Sequence, residues 1–187
     1  MDEHVFHFEA FPRLETERLI LREMQSEDAF AIFQIFSDEE VMKYYDMEVF
    51  TSIEQAYAMI ERQQTRFAQK ERFRWGITLK DEDVVIGTGG YVAWDKQQHL
   101  GGIGYDLARA YWQQGIMTEA VAAMVRFGFE EMGLNRIEAM VMPDNSASAR
   151  LLQKLGFQEE GILHEYGFWK NTFHDLKLFA LLKRDFL

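Results

Sequence analysis

"YWQQGIMTEA", Tyr111 to Ala120, sets one glycine between a strand-like stretch and a long apolar helix. A strand that runs into a helix leaves the first helical N–H groups unpaired, and the helix dipole adds partial positive charge there. That geometry suits an anion. Gly115 lets the backbone approach a pyrophosphate with no Cβ in the way, and Thr118 offers a hydroxyl donor on the first turn. A plain tight turn would use the same glycine, so the stretch must be weighed with its surroundings.

Working outward, Gly101 to Leu107 reads as the strand before the junction and Ile116 to Glu131 as the helix after it. That helix is apolar nearly all round, with one polar stripe of Glu119, Arg126 and Glu130, which predicts burial. Gly133 stops it. Upstream, Glu17 to Met24 alternates around Leu19 and Leu21 as a first strand. "SEDAFAIFQIF" then predicts a helix with Ser26 as its N-cap, and Ile53, Tyr57, Ile60 and Phe67 mark a second between Ser52 and Lys70. Phe73 to Leu79 and Val84 to Trp94, joined by "KDED", predict an antiparallel hairpin. Downstream come a strand over Arg136 to Met142, a short helix over Ser146 to Leu155 closed by Gly156, and strands over Phe157 to Leu163 and Leu176 to Leu182. The class is α/β in the mixed sense: a mixed sheet with helices on both faces.

The 187 residues suit one domain over 1–187, with 1–12 as a loose N-terminal segment. Absence of cysteine removes disulfides, thiolate nucleophiles and Cys-based zinc sites. A net charge of −11 argues against a nucleic-acid partner and favours a cationic one. "MDEHVFHFEA" lacks the basic start and apolar core of a signal peptide, and no apolar run reaches membrane-spanning length. The expectation is a cytoplasmic protein without a membrane partner. His4 and His7 lie near Asp2, Glu3 and Glu9, but a loose segment explains them without a metal, and no metal site is expected.

Two nucleotide signatures fail. No Lys-Ser/Thr pair follows Gly115, so a Walker loop is excluded, and "GGIGYDL" and "GTGGYV" lack both the third glycine and the following helix of a dinucleotide fold. Their glycines predict strand bulges or a close backbone approach. His174 and Asp175 are adjacent on a strand and face opposite ways, so they form no dyad.

"PDNSASARLLQKLGF", Pro143 to Phe157, supplies a second constellation. Asn145 can cap the short helix and Ser148 then sits on its first turn. With "LETERLILR" and "YWQQGIMTEA" it makes three motifs in order over nearly the whole chain. Together they resemble the GNAT acyltransferase superfamily, in its RimJ/RimL-like branch of protein N-terminal acetyltransferases.

That resemblance implies a sheet whose strand 101–108 splays from strand 136–142. It also implies acetyl-CoA as co-substrate, with an amine acceptor. The pantetheine arm would pair with backbone groups of Tyr105 and Leu107, next to Ala108, and bond Asn145. The pyrophosphate would meet the loop of Trp112, Gln113, Gln114, Gly115, Ile116, Met117 and Thr118, where Trp112 and Met117 depart from the superfamily's Q/R-x-x-G-x-G/A pattern. Arg109, Arg150 and Lys154 are candidate phosphate contacts or plain surface charges. Many relatives carry a tyrosine acid where this chain has Leu152, which leaves Ser148 as the first candidate for the acid. An acid common near Gly167 is also missing, which leaves Glu165 and Tyr166 as catalytic candidates. The acceptor pocket should draw on the region from Phe36 to Tyr57. Dimers are frequent in the family, so a homodimer is among the expectations. The acceptor is a protein N-terminus or a small amine such as an antibiotic or polyamine. A coenzyme-binding module that has lost catalysis is the non-enzymatic alternative.

Overall fold

The computed structural model describes residues 9–186. Its frame is one eight-stranded sheet in the order β1-β2-β3-β4-β5-β6-β8-β7. The strands are β1 (Leu14–Glu15), β2 (Leu19–Arg22), β3 (Phe73–Leu79), β4 (Glu82–Asp95), β5 (Leu100–Leu107), β6 (Arg136–Val141), β7 (Gln158–Trp169) and β8 (Thr172–Leu182). All pairs are antiparallel except β5 and β6. Parallel neighbours need a crossover, and helix α4 (Ile116–Glu130) supplies it.

The helices α1 (Ala29–Phe36), α2 (Glu39–Met42) and α3 (Ile53–Ala68) precede β3, and α5 (Ser146–Lys154) follows β6. Apolar residues of α1, α2 and α3 gather with Met24 and Val85 into one buried cluster. Those of α4, Leu152 of α5 and most of the sheet form the other. Gly133, at φ 66°, and Gly156, at φ 90°, take the left-handed turns that follow α4 and α5.

The sequence reading needs four adjustments. Ser26 is not an N-cap, because residues Ser26–Asp28 form a 3-10 turn whose preceding Gln25 N–H donates to the buried Asp28 carboxylate at 2.7 Å. The last two strands run far past 163 and start well before 176, meeting at Lys170 and Asn171, whose φ of 49° and 58° suit a tight hairpin. Between Leu163↔Leu176 and Gly167↔His174 three residues of β7 oppose one of β8, and that bulge breaks the alternation by which a strand is read. Finally, Phe11 and Pro12 are not loose: the Phe11 ring packs on Phe67 at 5.0 Å and the Pro12 carbonyl accepts the Trp75 indole N–H. His4 and His7 lie outside the described residues. The glycine-rich strands do hold a bulge, between Tyr91 and Ala93, and a close approach, since a Cβ on Gly90 would stand 2.5 Å from the Arg74 Cα.

Candidate active site

β5 and β6 pair only at Leu100↔Arg136, Gly101↔Ile137 and Gly102↔Glu138. Beyond Gly102 they separate. The Ala108 N–H donates to the Ile86 carbonyl of β4, and backbone groups alternate in direction along a strand. The Tyr105 and Leu107 groups therefore face the gap. A cleft of about 1020 Å³ occupies it and is lined from both faces of the sheet.

On one side stands the glycine junction. Gly115 is left-handed at φ 74°, a conformation that costs any residue with a Cβ about a kcal/mol or more. A Cβ there would have only the Arg18 guanidinium within 4 Å, at 3.6 Å, so the approach to the helix start is open. Gln113 is also left-handed, at φ 61°. Ile116 and Met117 are buried, with their side chains in the core. Both also line the cleft, beside Gly115 and Thr118.

The loop is held in place by residues remote in sequence. The Trp112 indole N–H donates to the Leu107 carbonyl at 2.8 Å, so one lone pair of that expected pantetheine partner is already used. Arg18 donates from Nη1 to the Gln114 carbonyl at 3.0 Å and from Nε to Glu119 at 2.7 Å. Glu119 also accepts from the Arg18 amide at 2.8 Å and the Thr16 hydroxyl at 2.5 Å. Burial works to raise the Glu119 carboxyl, but the Thr16 and Arg18 hydrogen bonds outweigh it and hold the group below its ordinary range.

On the α5 side, Asn145 caps the helix by accepting the Ser148 N–H at 3.2 Å. The Ser148 hydroxyl meets the Tyr105 hydroxyl at 2.7 Å. Burial pushes the Tyr105 phenol up to about 12, opposed by the hydrogen bond to Ser148. Arg150 and Lys154 line the same cleft.

The other side is shaped by α2 and the segment after it. Glu40, Tyr44, Tyr45 and Asp46 line it, opposite Trp169 from the tip of the β7–β8 hairpin. Lys170 fastens that tip by donating to the Met42 carbonyl at 2.9 Å. Behind Tyr45 lies a buried network. Arg74 donates to Asp106 at 2.6 Å, to Thr88 at 2.6 Å and to the Tyr45 hydroxyl at 2.9 Å. Thr88 also bonds Asp106, through its hydroxyl at 2.6 Å and its amide at 3.1 Å. Burial opposes the Arg74 charge; Tyr45 and Asp106 more than restore it, so the guanidinium is held ionised.

Most residues expected at the site converge on this cleft: Tyr105, Leu107, Trp112, Gln113, Gly115, Ile116, Met117 and Thr118 from the strand and loop, and Asn145, Ser148 and Lys154 from α5. Four do not. Ala108 is turned toward β4, and Gln114 folds back so that its side-chain amide donates to Ala110. Glu165 and Tyr166 ride on the β7 bulge, exposed and apart from the cleft-lining residues. The Glu165 amide donates to Asp175 at 2.8 Å, and Tyr166 is 58% exposed, so their expected catalytic role has no geometric support. Arg109 pairs with Asp38 at 3.1 Å away from the cleft. Asp175 turns from His174 and pairs with His164, as the strand alternation requires.

The Tyr105 side chain, the Arg74 network and the Arg18 latch were not found from sequence. A charged residue inside the apolar strands "FRWGITL" and "GGIGYDL" was the available signal for Arg74 and Asp106. Among the described residues no group of three or more His, Cys, Asp or Glu could hold a metal ion.

Residues 18–158 match the family model of the acetyltransferase (GNAT) domain. The chain is 42% identical over 173 residues to YoaA of Bacillus subtilis, named an uncharacterized N-acetyltransferase, covering 92% of this chain and 98% of that protein. It is 25% identical over 182 residues to the [ribosomal protein uS5]-alanine N-acetyltransferase of Escherichia coli, covering 92% of each. A solved GNAT-family acetyltransferase from Bacillus anthracis superposes with a TM-score of 0.83 at 26% identity, over 92% of this chain and 99% of that one. The splayed strands, the left-handed glycine at the start of α4 and these matches lead to one conclusion: the chain belongs to the GNAT family of acetyltransferases, in its RimJ/RimL-like branch, and is an N-acetyltransferase.

Proposed function

We propose that this enzyme moves an acetyl group from acetyl-CoA directly to the N-terminal α-amine of a protein. The observation that carries the reading is a cleft lined by the α4 junction and Ser148 on one side and by Tyr44, Tyr45 and Asp46 on the other. Two substrates can then lie in it together, and no enzyme nucleophile is needed.

The donor side fits a diphosphate-bearing thioester. The first-turn N–H groups of α4, whose residues line the cleft, suit the pyrophosphate. Free backbone groups of Tyr105 and the Leu107 amide suit the pantetheine amides, which can add to β5 as a strand would. Asn145 spends its side-chain oxygen on the cap and keeps its amide hydrogens for the arm.

In the transfer the amine nitrogen bonds the carbonyl carbon, the carbon–sulfur bond breaks, and the amine's surplus proton passes to water. The sulfur leaves as a thiolate, to which the Ser148 hydroxyl donates. An α-amine, with a reference pKa of about 8, is neutral far more often near pH 7 than a lysine at about 10.4. The open acidic wall of Glu40 and Asp46 can hold the water that takes the proton. Likeness to the uS5-alanine N-acetyltransferase supports a protein N-terminus as acceptor.

A thiol-release assay over peptides with free N-termini and over free amines tests this. Turnover on α-amino peptides, absent when the N-terminus is blocked, is the expected result. Turnover on small amines alone would replace the acceptor, and acetyl-CoA binding without any product would remove catalysis.

A further inference from the structure

Ser148 is a short side chain on a helix, and a helical serine is free to rotate and bond back to the carbonyl four residues earlier. Here it does not. Its oxygen stands 2.7 Å from the Tyr105 hydroxyl, and neither hydroxyl has another partner among the described residues. Either hydroxyl can donate in this pair; the arrangement that serves a leaving group has the more acidic phenol of Tyr105 as donor and Ser148 Oγ as acceptor. The Ser148 proton is then left over. It lies in the cleft, beside the gap-facing backbone of β5.

We infer that Tyr105 is a positioning residue that fixes the Ser148 hydroxyl with its hydrogen aimed at the departing sulfur; this rests on the role proposed above for Ser148. Tyr105 does not itself supply the proton. Its phenol, pushed up to about 12, is a much weaker acid than a thiol of reference pKa about 8.5. Transfer to the thiolate would run uphill, so Tyr105 keeps its proton throughout the pH range of an assay. The thiolate receives one hydrogen bond from Ser148 and is finally protonated by solvent. No tyrosinate forms.

The test is a double-mutant cycle with Tyr105→Phe, Ser148→Ala and the double variant, using acetyl-CoA and a peptide acceptor, with coenzyme A binding followed by calorimetry. Tyr105→Phe is expected to lower kcat about tenfold, the worth of one oriented hydrogen bond, while KM for acetyl-CoA and coenzyme A affinity stay within about twofold. The double variant should be no slower than Ser148→Ala, because Tyr105 acts only through Ser148. The pH profile of Tyr105→Phe should keep the wild-type shape. Multiplying losses in the double variant would overturn the inference, as would an alkaline limb that disappears with the phenol. A normal kcat in Ser148→Ala would instead overturn the role of Ser148 itself, whatever Tyr105 does.

Discussion

Asp106 carries four hydrogen bonds from three neighbours while lining the cleft, so its carboxylate is committed to structure and is not a free base. A buried ion pair of this kind is costly to break, since the surviving charge is left without water or partner. Asp106→Ala strands Arg74, whose side chain is 7% exposed. Urea unfolding of that variant should show a loss of about 3–5 kcal/mol. An Asp106→Ala protein as stable as the parent would mean that Thr88 and Tyr45, which Arg74 already bonds, suffice to hold its charge.

Asn145 and Ser148 were legible because a helix cap and its first turn are local facts, readable from spacing alone. The partner of Ser148 was not, for Tyr105 lies 43 positions away and only the splay of β5 brings the two together. Glu165 and Tyr166 misled for the converse reason. They sit near the right place in sequence, yet three residues of β7 bulge against one of β8 and carry both side chains outward.

At the scale of elements, the start of α4 depends on the turn between β1 and β2. Thr16 and Arg18 reach across to Glu119, and Arg18 also takes the Gln114 carbonyl, which ties the loop before the helix to that turn. "LETERLILR" was legible as a strand, but its tie to "YWQQGIMTEA" was not, because about a hundred residues separate the partners. From sequence Glu119 stood only in the polar stripe of a largely buried helix. With its folded pKa lowered, it contributes stability that is present above its unfolded pKa of about 4.3 and lost as pH falls through the folded value. Glu119→Gln should therefore unfold more easily at pH 7, by about 1 kcal/mol after allowance for the half-exposed Arg18. Thermal melts should show that difference closing below about pH 4. A constant difference across the range would assign the effect to packing rather than charge.

Over the whole molecule, the order of elements was readable because each helix and strand carries its own period. The parting of β5 from β6 came only with the family resemblance, since nothing local to either strand limits their pairing to three positions. Among the described residues those three pairs are the only ladder between β1–β5 on one hand and β6–β8 on the other. Before any ligand arrives, that seam is the thinnest stitching in the sheet. A thioester arm laid along β5 would act as a borrowed strand and draw the halves together. Deuterium uptake by residues 103–107 should accordingly slow when acetyl-CoA is added, while β3, clasped on both edges, barely responds. Uptake that ignores the coenzyme would place the arm elsewhere. If the slowing is seen, the sheet is stiffest only while it is loaded, and each release of product loosens it again.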